Sequence, residues 1–394
     1  MFLFYLLLFL IWPFFTFVFA LFKCESRIVK MLVVLGFTAI IGANMYYINV
    51  PHDSARYALH FLEDVTYGVD LADFISQGRI DILYPLSNVF VGMFTRNPRI
   101  LFTLYGMLYG LLIYLSLCKI YDMLQDVPAK SQIYDSRAST FFILIMIYFA
   151  NPITSMPTFR FFFSVWLFFY GWLAYTDGQN RLGNICMLIT PLIHTTFIIP
   201  LLIFVVHKYI PIPTKMLFWG VILCFIIGQI VYLQDYMQDI SFIAGSEKYE
   251  VYIQDEEYEE RMERAERISI VNEVSKILFK YIFFGILLYL CTIVNRIKRE
   301  DKKSSVIYIY NFILLFFCFA YLFAQVPSMG RFLFLANMFL LFFVGVVYSI
   351  GFLPQKRVIF ILISLAMLGN IYISLFPYNI NIFDLRYLYP IFYL

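Results

Sequence analysis

Residues 158–175 read TFRFFFSVWLFFYGWLAY, and after a short polar turn residues 182–203 read LGNICMLITPLIHTTFIIPLLI. Because about 20 apolar residues cross the hydrocarbon core of a bilayer, the two runs predict neighbouring helices within a membrane. Each run also holds an ionisable residue, Arg160 near the start of the first and His194 in the middle of the second. An ionisable group at membrane depth is costly and therefore indicates a functional site.

The composition of the whole chain is that of a membrane protein. Of its 394 residues, 62% are hydrophobic and 14% are charged, whereas soluble proteins carry about 25% charged residues. We therefore predict an all-α protein, a polytopic transmembrane helix bundle that forms a single integral membrane domain over residues 1–394. The net charge of +3 is small, so no nucleic acid is expected as a partner.

The apolar runs predict the membrane spans. The first, 2–22, has no charged segment before it, so we expect a retained first helix rather than a cleaved signal. A shorter run, 82–95, is interrupted by Pro85 and predicts a re-entrant or interfacial segment. The expected total is therefore about 11–12 spans, with re-entrant or broken segments. The candidate spans are 2–22, 31–48, 100–121, 139–152, 161–175, 182–206, 215–233, 277–295, 306–325, 332–350 and 358–376.

Three short loops rich in Lys and Arg predict which helix ends face the cytoplasm. They are 23–30, 296–305 and 354–357. The N-terminus and two longer loops, 49–81 and 234–275, are then expected to face the outside.

With these spans, the basic loops 23–30 and 296–305 fall on the same side of the membrane only if the number of crossings between them is changed by one. Either 82–95 crosses the membrane, or 182–206 turns back near His194 as two half-helices. We prefer the second arrangement, because it places Arg160, His194 and Arg331 on the same outer side as the two long loops.

The two outer loops differ in character. The first, 49–81, is predicted to contain an amphipathic helix on the membrane surface, because its apolar residues recur at helical spacing. Those residues are Ala58, Phe61, Leu62 and Val65. Asp53 and Tyr57 are four residues apart and would share one face of that helix. The second, 234–275, is a large charged loop whose Glu and Arg spacing predicts a solvated, ion-paired helix.

Two arginines are candidate cations for a phosphate group. Arg160 follows Pro157 and stands near a predicted helix start, where backbone N–H groups and the helix dipole favour an anion. A guanidinium also binds phosphate oxygens through two parallel hydrogen bonds. Arg331 repeats this arrangement after Pro327. The alternative is that each is an interfacial arginine that reaches the lipid headgroups.

His194 lies between Pro191 and Pro200, so the helix is predicted to break there. Its near-neutral pKa suits a proton acceptor, and the alternative is an ordinary hydrogen bond between helices. Weaker candidates for substrate contacts lie in the first outer loop: Asp53, Arg56 and Tyr57.

Other enzyme classes are disfavoured by motifs that the sequence lacks. It has no H-E-x-x-H, P-loop, G-x-G-x-x-G or G-x-S-x-G motif, which argues against a metalloprotease, an NTPase, a dinucleotide enzyme or a hydrolase. Its six cysteines form no C-x-x-C pair, so neither a disulfide framework nor a metal site is expected. We expect no metal and no cofactor.

The order of these features resembles the EpsG-like branch of the Wzy polysaccharide polymerases, a family concerned with O-antigen, capsule and exopolysaccharide. Two of the family's motifs fall in the first half of the chain: a D-x-x-x-Y element from Asp53 to Tyr57 and an acidic-to-proline segment from Asp81 to Pro85. An Arg-led helix start follows at Arg160. The last two motifs are a His-x-Ser-like element from His194 to Thr196 and an Arg-Phe helix start at Arg331. Phe161, Ser164 and Thr196 stand where the family commonly has Gln, Ala and Ser.

The resemblance implies a metal-independent glycosyltransferase of the bacterial cytoplasmic (inner) membrane, with its active site on the outer, periplasmic side. It would join oligosaccharide repeat units carried on polyprenyl pyrophosphate. Arg160 and Arg331 would bind the leaving pyrophosphate, and His194 would accept a proton or position the acceptor. Substrate contacts would come from Asp53, Arg56, Tyr57, Asp81 and Thr195. Expected partners are the lipid-linked oligosaccharide, membrane lipids and a chain-length regulator.

Two alternative functions fit the same features. One is a GT-C type glycosyltransferase that uses a polyprenyl-phosphate sugar, with Glu63 and Asp64 in the acidic first outer loop as its candidate residues. An O-antigen ligase is a nearer relative of the polymerases and differs in its acceptor. The other alternative is a non-enzymatic flippase or transporter of lipid-linked oligosaccharide, although such proteins often carry repeated halves and no repeat is visible in this sequence.

Overall fold

The computed structural model describes residues 2–44, 53–69, 80–125, 136–152, 158–230, 270–300, 304–326 and 329–375. Within these ranges the regular structure is helical throughout, without a strand. The helices are α1 (Phe2–Ile11), α2 (Pro13–Lys23), α3 (Arg27–Asn44), α4 (Asp53–Tyr67), α5 (Leu83–Gly92), α6 (Pro98–Gln125), α7 (Ser136–Ala150), α8 (Phe159–Thr176), α9 (Asn180–Ile193), α10 (Ile198–Tyr209), α11 (Thr214–Ile230), α12 (Ile270–Glu300), α13 (Ser304–Leu322), α14 (Phe332–Ser349) and α15 (Lys356–Leu375).

The helices confirm the predicted class, an all-α polytopic membrane bundle. Five helical segments of the described chain are long and apolar enough to cross a membrane. They are Arg27–Asn44, Pro98–Gln125, Ile277–Arg299, Ser305–Leu322 and Met329–Ser349. Shorter apolar helices accompany them, in keeping with the expected re-entrant and broken segments.

The chain forms two compact units. The first unit contains α1–α6 as far as Met123, together with α8 and α9. The second contains α7 and the chain from Leu202 to Ile373. The single membrane domain expected from the sequence stays a prediction.

The N-terminal segment is a helical hairpin, so the expectation of one helix over 2–22 is wrong. The rings of Tyr5 and Phe19 lie 6.0 Å apart, whereas 14 residues of continuous helix would separate them by about 21 Å. The chain breaks at Trp12, whose φ and ψ are −146° and 88°, because Pro13 lacks the N–H that would continue the helix. Phe2 therefore lies at the Lys23 end of the hairpin, not at the far end of a span.

The surface helix predicted in the first outer loop is present as α4. Its buried face carries Ala55, Ala58 and Phe61, and it packs on α5. Leu62, which was expected on that face, is 37% exposed. The segment predicted as re-entrant at 82–95 forms α5, a helix of only ten residues. The ion-paired helix expected within 234–275 lies outside the described residues, apart from the start of α12.

Close helix contacts hold the first unit together. Gly42 on α3 and Gly106 on α6 face each other, and a Cβ at Gly106 would overlap the carbonyl oxygen of Thr38. Gly171 on α8 and Gly183 on α9 make a similar close approach. The helices α8 and α9 are antiparallel neighbours joined by a tight turn, in which Gly178 adopts a φ of 85°. These contacts fix where the start of α8 and the end of α9 lie.

The second unit is built around α14, which is buried along almost its whole length. Rings of α13 pack against it, with Phe312 and Phe316 at 5.1 and 5.2 Å from Phe339. Arg331 forms the end of a short 3₁₀ turn, Met329–Arg331, directly before α14 begins. The structure thus confirms that Arg331 stands at a helix start.

Candidate functional site

The centre of the candidate site is an ion pair between Arg160 and Asp81. Arg160 is the second residue of α8, and Asp81 lies just before α5. The Asp81 side chain is 0% exposed and the Arg160 side chain 11% exposed. Because a buried ion is stable only with a partner, the two charges depend on each other in this apolar setting. Sequence analysis named both residues but did not predict that they pair.

Two further contacts hold the Arg160 guanidinium. Its Nε donates a hydrogen bond to the carbonyl oxygen of Ile193 at 3.3 Å, at the end of α9. Its Cζ lies 4.8 Å above the centre of the Tyr84 ring, within cation–π distance. The Tyr84 hydroxyl donates in turn to the carbonyl oxygen of Tyr57 on α4. Burial raises the pKa of Tyr84, so this phenol stays protonated and remains a donor.

His194 lies at the predicted break between two helices. Its φ and ψ of −146° and 111° end α9, and the short turn Thr195–Phe197 leads into α10. Its Nδ1 lies 2.8 Å from the hydroxyl of Thr196, within hydrogen-bond distance. Its ring also meets the ring of Phe161 edge to face, at 5.4 Å. Thr196 is therefore a partner of His194, and the predicted role of the neighbouring Thr195 as a substrate contact stays a prediction.

The turn after His194 packs against α8. The ring of Phe197 packs on Phe161 near the start of α8 and on Phe168 two turns further along it, at 5.4 and 6.2 Å. Since α9 reaches the start of α8 at Ile193, the turn after the break places Phe197 against the side of α8. The arrangement in which 182–206 turns back near His194 stays a prediction.

A polar network joins α4, α5 and α6 beside the ion pair. Asn88 donates to the Asp64 carboxylate at 2.7 Å and accepts from the Tyr105 hydroxyl at 3.3 Å. Ser87 lies 2.9 Å from the same hydroxyl. The Tyr105 ring stacks on Phe159, the first residue of α8, at 4.0 Å. The network thereby ties the outer-loop helix α4 to the helix that carries Arg160.

Asn151 fixes the start of α8 from the other side. Its Nδ2 donates to the carbonyl oxygen of Phe162 at 3.2 Å, and its own backbone carbonyl accepts from the indole of Trp166 at 2.9 Å. The Tyr109 hydroxyl donates to Asn151 Oδ1 at 2.9 Å. A side chain that is fully buried and bonded in this way holds the first turn of α8 in one position.

The opposite end of the first unit carries a different set of ion pairs. Arg27 forms two parallel hydrogen bonds with Asp122, at 3.0 and 2.7 Å, and Lys119 pairs with Asp177 in the α8–α9 turn. Along α6, Asp122 is 17 residues from Tyr105, or about 25 Å at 1.5 Å per residue. The candidate site and the basic N-terminal segment therefore lie at opposite ends of the first unit.

The structure brings together part of the predicted site. Arg160 pairs with Asp81 and bonds to the carbonyl oxygen of Ile193, the residue before His194. Tyr57 lies beside Tyr84, with 5.3 Å between the ring centres. Arg56 is exposed on α4, and Thr195 lies in the turn after His194. Asp53 is the first residue of α4, and its side chain is outside the described residues. Arg331 belongs to the second unit, so its part in the site stays a prediction.

Several residues of the site were not predicted from the sequence: Asp64 as part of it, Tyr84, Ser87, Asn88, Tyr105 and Asn151. A signal for three of them was present. Tyr84, Ser87 and Asn88 are spaced three and four residues apart, which places three polar groups on one face of a short helix in an apolar segment.

A metal ion in a protein is typically held by a group of His, Cys, Asp or Glu side chains. In the part of the chain that the structure describes, no three of these side chains lie together. The expected independence from metal is not tested by this finding and stays a prediction.

The comparison with known proteins agrees with the resemblance seen in the sequence. Residues 27–387 match the family model described as the EpsG family. No curated protein and no solved structure matches the chain. Since the family match covers most of the sequence, the chain belongs to the EpsG family and is a membrane protein of polysaccharide biosynthesis.

Proposed function

We propose that this protein is a polysaccharide polymerase that joins oligosaccharide repeat units carried on polyprenyl pyrophosphate. The observation that carries the proposal is the hydrogen bond from the Arg160 guanidinium to the last carbonyl of α9, because it places Arg160 next to the residue that precedes His194. A cation that binds phosphate and a group that accepts a proton are the two parts that this transfer requires.

The site is assigned to the outer side of the bacterial cytoplasmic membrane. Arg27, in the basic segment 23–30, lies at the end of the first unit opposite to Arg160. Basic segments of this kind favour the cytoplasm. The lipid-linked substrate would then meet the site at the outer surface, where Tyr57 on α4 lies beside it.

The reaction follows from these positions. A sugar hydroxyl of one lipid-linked unit attacks the anomeric carbon of the growing chain, and the bond from that carbon to the pyrophosphate oxygen breaks. His194 takes the hydroxyl proton, while its contact with Thr196 fixes the orientation of the ring. Arg160 stabilises the charge that develops on the pyrophosphate, assisted by the first-turn N–H groups of α8. The polyprenyl pyrophosphate leaves, and the chain remains on the acceptor lipid.

The remaining predicted residues have supporting parts. Arg331 is proposed as the second cation for a pyrophosphate, because it also stands directly before a helix. Asp53, Arg56 and Tyr57 are proposed to contact sugar hydroxyls from α4. Thr195 is proposed as an acceptor contact in the turn that follows His194, and a chain-length regulator is proposed as a partner.

A GT-C type enzyme that uses a polyprenyl-phosphate sugar is the second candidate. One observation favours it: the carboxylate of Asp64 lies in the polar network next to the ion pair, bonded to Asn88. Such an enzyme would require a divalent metal and a monophosphate donor, so loss of activity on chelation would distinguish it from the polymerase.

The test is the size distribution of the surface glycan after gene deletion and add-back. Wild type is expected to restore a ladder of chain lengths, and Arg160→Ala is expected to leave single repeat units. Arg181→Ala is the matched control, because Arg181 is an exposed arginine in the same unit at the first turn of α9.

Three other results would contradict the proposal. A normal ladder with Arg160→Ala at normal protein level would remove Arg160 from the site. Disappearance of all outer lipid-linked units on deletion would indicate a flippase. Full-length polymer that stays on its lipid carrier would indicate a ligase.

A further inference from the structure

We propose that Asp81 is a positioning residue, which holds the Arg160 guanidinium in one orientation and does not itself bind the substrate. The inference rests on the proposed polymerase function and replaces the expected role of Asp81 as a substrate contact. Burial is the first reason. The Asp81 side chain is 0% exposed, whereas Arg160 keeps 11% of its side-chain surface, so a phosphate or sugar reaches the arginine but not the carboxylate.

The second reason is the way in which the guanidinium is held. Asp81 pairs with Nη2, Ile193 accepts from Nε at 3.3 Å, and the Tyr84 ring covers one face. These contacts meet the group from three directions. A free arginine side chain loses much rotamer freedom when it binds a ligand. Since the Arg160 side chain is already ordered before a ligand arrives, this entropy cost is reduced and the guanidinium already has the orientation needed for binding.

The third reason is that the carboxylate is itself supported. Asp81 lies two residues before the start of α5, and α5 also supplies Tyr84 and Asn88. The Tyr84 hydroxyl bonds to the backbone of Tyr57, and Asn88 bonds to Asp64. Both bonds fasten α5 to α4. The short helix α5 is therefore fixed to α4, and this keeps Asp81 next to Arg160.

The charge of Asp81 also predicts a kinetic signature. A carboxylate beside an anion-binding arginine repels the anion, since like charges disfavour each other. Asp81 thus orients Arg160 and at the same time weakens its hold on the ground-state pyrophosphate. Removal of the carboxylate should lower kcat, because Arg160 is then no longer oriented toward the charge that develops on the leaving pyrophosphate. It should not raise KM, because the repulsion of the bound pyrophosphate is lost as well.

The experiment compares four purified proteins in lipid nanodiscs, with lipid-linked repeat units as substrate: wild type, Asp81→Asn, Arg160→Lys and the double variant. Rates are divided by the amount of monodisperse protein. Asp81→Asn is expected to lower kcat at least tenfold, with KM unchanged or lower. In Arg160→Lys, which lacks the planar fork, Asp81→Asn is expected to change kcat by less than twofold.

Asp177→Asn is the matched control. It removes a carboxylate from the ion pair with Lys119 at the other end of the same unit. Its kcat and KM are expected to equal those of wild type, which would show that loss of a paired carboxylate alone does not reduce the rate.

Several results would overturn the proposal. A tenfold rise in KM with normal kcat in Asp81→Asn would make Asp81 a substrate contact. An equal loss of kcat in the wild-type and Arg160→Lys backgrounds would show that Asp81 does not act through Arg160. A reduced yield of folded protein with normal kcat would leave Asp81 a purely structural part. Failure of the proposed function itself gives a different result, since wild type would then form no polymer and both proposals would fall.

Discussion

His194 is oriented by the residue two positions further along the chain. The Thr196 hydroxyl lies 2.8 Å from Nδ1, and a hydrogen bond to one ring nitrogen determines which nitrogen faces a substrate. We expect Thr196→Val to lower kcat about tenfold, equivalent to about 1.4 kcal/mol in the barrier, and Thr196→Ser to retain most activity. Thr176→Val is the matched control, because the Thr176 hydroxyl bonds only locally, to the carbonyl oxygen of Leu173 at the far end of α8, and it should stay within twofold of wild type. An equal loss in Thr176→Val and Thr196→Val would show that the Thr196 hydroxyl does not act by orienting His194.

Some residues of the candidate site could be predicted from the sequence and others could not. Arg160 and His194 were recognisable because a charge or an imidazole in an apolar run is costly and conspicuous. Asp81 was named, but its burial and its pairing with Arg160 depend on α5 folding back onto α8, which no local pattern encodes. Tyr84 and Asn88 were missed because such residues are common at membrane surfaces, and only their shared helix face distinguishes them.

The helices α3 and α6 approach each other closely because Gly42 and Gly106 carry no side chains where they cross. A Cβ at Gly106 would overlap the Thr38 carbonyl oxygen, whereas nothing lies within 4 Å of a Cβ at Gly285 on α12. We therefore expect Gly106→Ala to lower the thermal unfolding midpoint in detergent, with a loss of about 1–3 kcal/mol from overpacking. Gly285→Ala is the matched control and should be neutral or slightly stabilising, because alanine favours helix. An unchanged midpoint in Gly106→Ala would show that the two helices separate without cost.

Hydropathy alone did not predict that residues 2–23 form a hairpin of two helices, α1 and α2. The run 2–22 has the length and apolar character of a span, and Pro13 is a tolerated residue within many membrane helices. The fold-back follows from contacts with α3: Phe17 stacks on Phe37 at 4.7 Å, and Phe9 lies against Gly36. By contrast, the break at His194 was predictable, since two prolines flank a polar turn.

At the scale of the whole molecule, the sequence predicted the class and most helix positions because the bilayer requires long apolar segments and internally satisfied backbone groups. The runs at 100–121 and 332–350, for example, correspond to α6 and α14. The division into two compact units was not predicted. This division depends on long-range packing such as that of α13 on α14. The aromatic residues that make such contacts have no feature in the sequence that shows which helix they pack against.

The arrangement of the first unit predicts the side of the membrane from which each end is reached. Arg96 is exposed in the turn before α6, near the candidate site, and Gln179 is exposed in the α8–α9 turn, beside the ion pair of Lys119. In a cysteine-free background, we expect Arg96→Cys to react with a membrane-impermeant maleimide in intact cells. Gln179→Cys should react only after permeabilisation. The two positions are matched, because both are exposed turn residues of one unit. The reverse pattern would place Arg160 and His194 on the cytoplasmic side, where a lipid-linked acceptor that has already been transferred across the membrane could not meet them.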